Sequence, residues 1–373
     1  MRIMEEISKR SDRENLAYSC KAVYKVMKPY LWQDLELKTG CPYHQNNILK
    51  NKHFIKDLTL RFHEKDTENL RDFLRKIFKK DSVNLLEIFL EGNVPHDIFS
   101  LLMSKSMQLR KLDFSVYGDF QWDYEGLVFP STLKRLELYD SGVTDSFLAS
   151  IINANLKTLE HMDIRWSNAL KSTGCLPISK LVNLKYLTLH EIETSVDINV
   201  SFVSELKNLE YLSLQSLNIV EDSHIGIWEC VSNLKELYLV GVIGMCNVGD
   251  ISPLQNLRCL ELDGMEDISK SFADNITSLK NLHTLDFNSS LYSHYRYTDF
   301  DILSGFKDMS SLHTIKMWCY PKDENLFYKI INKLCEAERP SKWGEEIQPR
   351  WSFAIRNNKC ILRSLCAACK HCK

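Results

Sequence analysis

Apolar side chains recur in one fixed figure through the middle of the chain. Between residues 156 and 289 it returns five times as Leu-x-x-Leu-x-Leu: Leu184/Leu187/Leu189, Leu209/Leu212/Leu214, Leu234/Leu237/Leu239, Leu257/Leu260/Leu262 and Leu282/Leu285/Phe287. The middle residues are 25, 25, 23 and 25 positions apart, a period that neither a heptad nor an amphipathic helix generates. Leu-x-Leu alternation places two side chains on one face of a short strand, while the first leucine packs beneath as the chain enters it. One such strand buries too little to stand alone. Stacked in parallel at ~4.8 Å, neighbouring units merge their leucines into a continuous core.

The flanks repeat with the figure. An apolar residue stands three positions before the first leucine at Leu156, Leu181, Leu206, Val231, Leu254, Leu279 and Met309, and Asn183, Asn208, Asn233, Asn256 and Asn281 stand just before it. Asn suits a turn in which its side chain bonds nearby backbone, steering the return segment into the strand. The period is that of leucine-rich repeats. Read outward in both directions, the middle position runs Leu35, Leu58, Ile88, Leu112, Leu136, Met162, Leu187, Leu212, Leu237, Leu260, Leu285, Ile315, with steps of 23 to 30 residues. The expected fold is an α/β leucine-rich-repeat solenoid of about twelve parallel-strand units, curved and concave on the strand side, over residues 35–335. The longest steps hold helical text from Glu68 to Lys80 and an aromatic insertion, Tyr292 to Tyr297. After about residue 335 the pattern fades into a Cys-rich cap or tail, 336–373.

Residues 1–34 do not repeat. Asp12-Arg13-Glu14-Asn15 predicts a helix start, Leu16, Cys20, Val23, Tyr24 and Met27 then recur at three- and four-residue spacing, and Pro29 is expected to end the helix. Leu31-Trp32 follows, and a Leu-x-Leu strand begins at Leu35. The run from Ser11 to Tyr24, with its Cys20-Lys21 and the closing Leu31-Trp32, resembles the second half of an F-box leading into leucine-rich repeats. Ile3-Met4-Glu5-Glu6-Ile7 stands where that pattern opens on Leu-Pro and a first helix, so the resemblance is to a partial F-box. In the unit of Leu136, Thr144-Asp145 is similar to the turn of a cysteine-containing repeat subtype common in F-box proteins. The subtype's Asn or Cys after the strand is replaced by Ser141, Ile192, Leu217, Val242 and Met265.

The resemblance implies a substrate-recognition subunit of a cullin-RING ubiquitin ligase. Leu16, Cys20, Tyr24 and Trp32 would dock on a Skp-type adaptor, itself bound to the cullin, while the repeats hold an unknown substrate protein. The alternative is a stand-alone interaction scaffold on the same repeats, without ligase docking.

Composition leaves this picture in place. Of 373 residues 44% are hydrophobic and 26% charged, with a net charge of −2, so no global basic bias points to nucleic acid or membrane. No stretch approaches 18 uninterrupted apolar residues, and the start is too polar for a secretory signal. Twelve scattered cysteines then read as reduced thiols of the cytosol or nucleus. Cys366, Cys369 and Cys372, with Cys360 and His371 nearby, have local metal-ligand spacing but lie in one segment, against the two-segment habit of structural zinc; no metal or cofactor is expected. No nucleophile elbow, zincin, P-loop or dinucleotide motif occurs, so no catalysis is expected.

The expected working surface is the strand face between and beside the buried leucines. Its middle position reads Glu36, Thr59, Phe89, Asp113, Glu137, Asp163, Thr188, Ser213, Tyr238, Glu261, Asp286, Lys316. Lys111, Arg135 and Arg165 flank Asp113, Glu137 and Asp163, which reads as a surface ion-pair lattice of small net value. Glu261, Asp263 and Asp286 have Cys259, Thr284 and Asn288 as same-face neighbours, an acidic group without a flanking cation. Beside it stand Tyr186, Tyr211 and Tyr238. These six residues are the candidate site for a partner carrying Lys or Arg.

Overall fold

The computed structural model describes residues 21–364 apart from 42, 63–66, 80–82, 116–126, 141, 168, 193–196, 244–247, 264–269, 288–305, 307–308, 319–350 and 357–358. The chain divides into two compact units, Met1–Pro177 and Ile178–Lys373.

In the first unit, strands β1 (Asp34–Lys38), β2 (Asp57–Phe62), β3 (Glu87–Gly92), β4 (Lys111–Ser115), β5 (Arg135–Tyr139) and β6 (His161–Arg165) pair in parallel in chain order. In the second, β7 (Tyr186–His190), β8 (Tyr211–Gln215), β9 (Glu236–Val240), β10 (Cys259–Asp263), β11 (Thr284–Phe287) and β12 (Thr314–Trp318) do the same. Registers match the sequence pattern position for position: Leu35, Leu58, Ile88, Leu112, Leu136 and Met162 face one another across the first ladder. Leu187, Leu212, Leu237, Leu260, Leu285 and Ile315 do so across the second. The fold is an α/β leucine-rich-repeat solenoid.

The leucines form the core by the alternation that predicted them. Leu184, Leu187 and Leu189, and their counterparts through Leu257, Leu260 and Leu262, are fully or almost fully buried. In the first unit the return segments include helices Thr67–Phe78, His96–Lys105 and Asp145–Ala154, whose apolar faces add Leu70, Phe73, Leu74, Phe99, Leu102, Phe147 and Ile151. Phe99 packs on Phe114, Phe129 and Phe147 at centroid distances of 5.4, 6.4 and 6.1 Å. The second unit turns back through shorter elements such as Val200–Glu205 and Ile227–Cys230.

Repeats are stitched by side chains that the sequence assigned to local turns. Asn208, Asn233, Asn256 and Asn281 each donate Nδ2 to a carbonyl of the preceding repeat, Val182, Lys207, Ser232 and Gln255, at 2.8, 3.0, 3.0 and 2.8 Å. They act between repeats rather than within their own turn, because the parallel stack brings the previous return's orphan carbonyl within amide reach. Thr132 and Thr158 occupy the same position in the first unit; Thr132 donates to the carbonyls of Met107 and Leu109, and Thr158 to that of Ser131. After the strands Asp140, Trp166, Glu191, Ser216 and Gly241 adopt positive φ. The N–H groups of Asp140, Glu191, Ser216 and Gly241 donate to Arg165, Gln215, Val240 and Asp263 of the next strand. This turn directs Ile192, Leu217 and Val242 into the core, where the subtype's Asn or Cys was missing; Ser141 and Met265 lie outside the described residues.

At the start, helix Lys21–Leu31 buries Met27 completely and sets Lys28 Nζ 5.7 Å from the Phe54 ring centroid, so it packs against the first repeat. Pro29 does not end this helix, which runs on to Leu31. Its missing N–H falls in the last turn, where the Trp32 N–H still reaches the Lys28 carbonyl at 3.3 Å. Leu16, Cys20, the expected helix start and the 292–297 insertion lie outside the described residues.

Beyond β12 the described residues form a hairpin that the sequence pattern does not show. Strands β13 (Trp351–Arg356) and β14 (Lys359–Ser364) form an antiparallel hairpin, and β14 pairs antiparallel with β12. The hairpin thus covers the edge that β12 would otherwise present. Cys360 lies on β14, opposite Met317 and Ile355, whereas Cys366, Cys369 and Cys372 lie outside the described residues. Among the described residues no group of His, Cys, Asp and Glu is placed to hold a metal, and no helix is long and apolar enough to cross a membrane.

Candidate functional site

The open face of each ladder consists of the three positions per strand that alternate with the buried leucines. In the first unit β4 to β6 form a closed charge mosaic. Asp113, Glu137 and Asp163 stand side by side in register on β4, β5 and β6 and are all buried, against the expectation of a surface lattice. Longer neighbours cover them. Lys111 Nζ lies 3.6 Å from Asp113 Oδ2 and 3.3 Å from Glu137 Oε2, Arg135 Nε donates to Glu137, and Arg165 grips Asp163 with Nε and Nη2, both at 2.8 Å. The cations stand outermost: the Arg135 side chain is 49% exposed and the Glu137 side chain 6%.

Burial, and then hydrogen bonding to Glu137, push the Asp113 carboxyl up to about 7. Burial also works against charge on Glu137, but bonds from Asp113 and Arg135 and the nearby Lys111 outweigh it and hold Glu137 below its ordinary value. Below about pH 7 Asp113 is therefore the protonated member of the pair and Glu137 the charged one. Burial, then Arg135, lowers His161 to about 4, so it is neutral at neutral pH.

The second unit's open face is aromatic and acidic. Tyr186 and Tyr211 are opposite in register and stack at 3.9 Å between centroids with 11° between planes. Tyr211 and Tyr238 lie 5.2 Å apart at 34°. The Tyr238 hydroxyl donates to Glu236 Oε2 at 2.8 Å, which pins the ring. Burial raises Tyr211 and Tyr238 well above the ordinary phenol value, so both stay protonated donors. Thr188 and Ser213 are buried beside the stack, and Gln215 closes over Ser213 with a 2.7 Å bond.

Along the middle column the register runs Ser213, Tyr238, Glu261, Asp286, Lys316. The structure brings the six candidate residues onto one face but corrects one of them: Asp286 is not without a cation. Lys316 Nζ sits 3.1 Å from Asp286 Oδ2, and the Asp286 side chain is 5% exposed. The cation was the next residue of the same column, reached across β11 and β12 rather than along the strand. Glu236 also joins the site; it takes the position that Tyr186 and Tyr211 hold on β7 and β8. Glu261 and Asp263 are half-buried on β10. Of the residues expected to meet an adaptor, Tyr24 and Trp32 are partly exposed at the first repeat.

The fold and this open face define the chain as a leucine-rich-repeat protein. No family model matches the sequence, and no curated protein matches it. Solved structures with a similar course include an internalin from Listeria monocytogenes, 14% identical over 84% of this chain and 85% of that one, with a TM-score of 0.46. A leucine-rich-repeat protein of Leptospira interrogans is 15% identical over 83% and 78% with a TM-score of 0.41. The mouse RP105/MD-1 complex is 18% identical, covering 82% of this chain and 63% of that chain, with a TM-score of 0.40.

Proposed function

We propose that this chain is a non-catalytic protein-recognition subunit that presents a target to a cullin-RING ubiquitin ligase of the Skp–cullin–F-box type, in the cytosol or nucleus. The observation that carries the reading is the junction at the first repeat. The helix Lys21–Leu31, then Trp32, then β1 at Asp34 follow without a spacer, and with Cys20-Lys21 in the sequence this is the order of an F-box joined to repeats. Trp32 and Tyr24 are partly exposed there, as an adaptor contact requires, while Met27 is buried and anchors the helix to the repeats. The division of labour follows from the parts: the helical end meets the adaptor, and the open strand face holds the target.

Affinity capture of the whole chain from cell lysate, blotted for the Skp-type adaptor and the cullin, tests this. Both are expected with the parent chain and both should be lost with Trp32→Ala. Recovery of neither with a folded parent chain contradicts ligase docking and leaves a scaffold that recognises proteins on its own.

A further inference from the structure

At the entry to β4 and β5 the first unit gathers cations that its own carboxylates do not use. The Arg110 carbonyl accepts from the N–H groups of both Lys134 and Arg135, at 2.8 and 2.9 Å, so three basic residues leave the backbone around one peptide group. Arg110 is exposed and, among the described residues, its side chain has no hydrogen-bond or ion-pair partner. Arg135, its side chain 49% exposed, gives only Nε to Glu137. That bond fixes the guanidinium, while Nη1 and Nη2 have no acceptor among the described residues. Lys134 is 59% exposed and meets only Glu160 among the described residues, at 3.4 Å, a surface pair that water and salt weaken. The carboxylate beneath does not compete for these donors: Glu137 is 6% exposed and already held by Lys111 and by Arg135 Nε. Like charges this close repel, and the repeat pattern does not require them. The position that Arg110 and Lys134 hold is Leu86 one repeat earlier and Glu160 one repeat later.

We propose that this corner of the first unit binds an acidic segment of a partner polypeptide, with one carboxylate in the Nη fork of Arg135 and a second between Arg110 and Lys134. The proposal goes beyond the ligase reading, because the contact serves a ligase subunit and a free-standing scaffold alike. A guanidinium held through Nε presents its two Nη groups as a planar fork that matches a carboxylate, and it loses little further freedom on binding one. Charge complementarity names the sign of the occupant, and register limits its length. Along the first column of the ladder Asp34, Asp57 and Glu87 on β1 to β3 precede Lys111 and Arg135. These acids turn away a long polyanion such as a nucleic-acid strand, which needs an extended run of cations. A short run of Asp or Glu fits within the basic corner.

Fluorescence anisotropy on the purified whole chain tests this, with short labelled peptides that alternate glycine with glutamate, glutamine or lysine, and with a labelled single-stranded oligonucleotide. The glutamate peptide should bind, more weakly as salt rises, and the other three probes should not. Arg110→Gln should weaken the glutamate peptide several-fold, and Arg110→Gln combined with Arg135→Gln roughly tenfold or more. The Arg110 side chain bonds nothing in the fold, so its substitution leaves the chain folded, and circular dichroism checks both variants. Arg258→Gln, which removes an exposed arginine of the second unit, should leave the affinity unchanged. Equal binding of the glutamate and glutamine peptides, no binding of the glutamate peptide, or an oligonucleotide that binds as tightly overturns the proposal. So does an affinity untouched by Arg110→Gln, or one lowered equally by Arg258→Gln. The ligase reading is tested separately, by adaptor and cullin capture, which none of these probes touches.

Discussion

Asp113 carries the clearest consequence of a single side chain. Its folded value of about 7 lies above the ordinary 3.8, with burial as the first cause, so between those values the folded chain binds a proton that the unfolded chain has released. Stability contributed by that proton is therefore present in mild acid and lost as pH rises toward about 7. Glu137 shifts in the opposite sense, but its share changes only at more acidic pH, below its ordinary 4.5. Asp57, raised to about 6 by burial and then by its bond to Asp34, adds the same sign as Asp113 over the lower part of the window. Asp113→Asn keeps the neutral form at every pH, so it should flatten the upper part of the curve and stabilise the chain at about pH 8 relative to the parent. Urea denaturation of both at about pH 5 and about pH 8 measures this; identical pH slopes would refute the shared proton. None of it was legible in the sequence, where Asp113, Glu137 and Asp163 read as exposed. Alternation gave their face correctly, but burial on that face depends on how far Lys111, Arg135 and Arg165 fold over the strands, and spacing carries no information on that. Asp286 shows the complementary omission: Lys316 stands thirty residues on, yet one place along in the column, and only the parallel pairing makes them neighbours.

At the level of elements, the repeats hold together by more than leucine burial. Each asparagine of the ladder satisfies a carbonyl of the repeat before it, and each bond closes on an exposed edge where water competes. Asn233→Ala should therefore cost about 0.5–1.5 kcal/mol, and Asn233→Asp a similar amount because the donor is lost. The urea midpoint should fall with an unchanged slope, whereas no change in midpoint would mean that the Lys207 carbonyl finds water equally well. The strands themselves were fully legible, since a period-two apolar pattern fixes both the face and the register, and all twelve predicted middle positions pair as read. The terminal hairpin was not. Trp351–Arg356 and Lys359–Ser364 lack the leucine figure because they close the stack antiparallel and belong to no repeat. Pro29 misled for the reverse reason: a proline in a last turn breaks one bond, not a helix.

Taken whole, the molecule is two repeat units with different open faces. On β4 to β6 the first covers each buried carboxylate with a cation of its own face. The second presents stacked tyrosines and an excess of acid. Without the hairpin the edge of β12 would lie open to pairing with other chains, so truncation before residue 351 should produce concentration-dependent self-association by sedimentation velocity; a truncated chain that stays monomeric would deny the hairpin its protective role. The proposed function assigns target and ligase to separate surfaces. Quantitative affinity capture with the parent chain and with Glu261→Lys, read by mass spectrometry in parallel, tests it most directly. Adaptor and cullin are expected equally with both, while the partner captured by the parent chain disappears from the variant. Loss of adaptor and cullin together with the partner, or a partner captured equally by both, would contradict it.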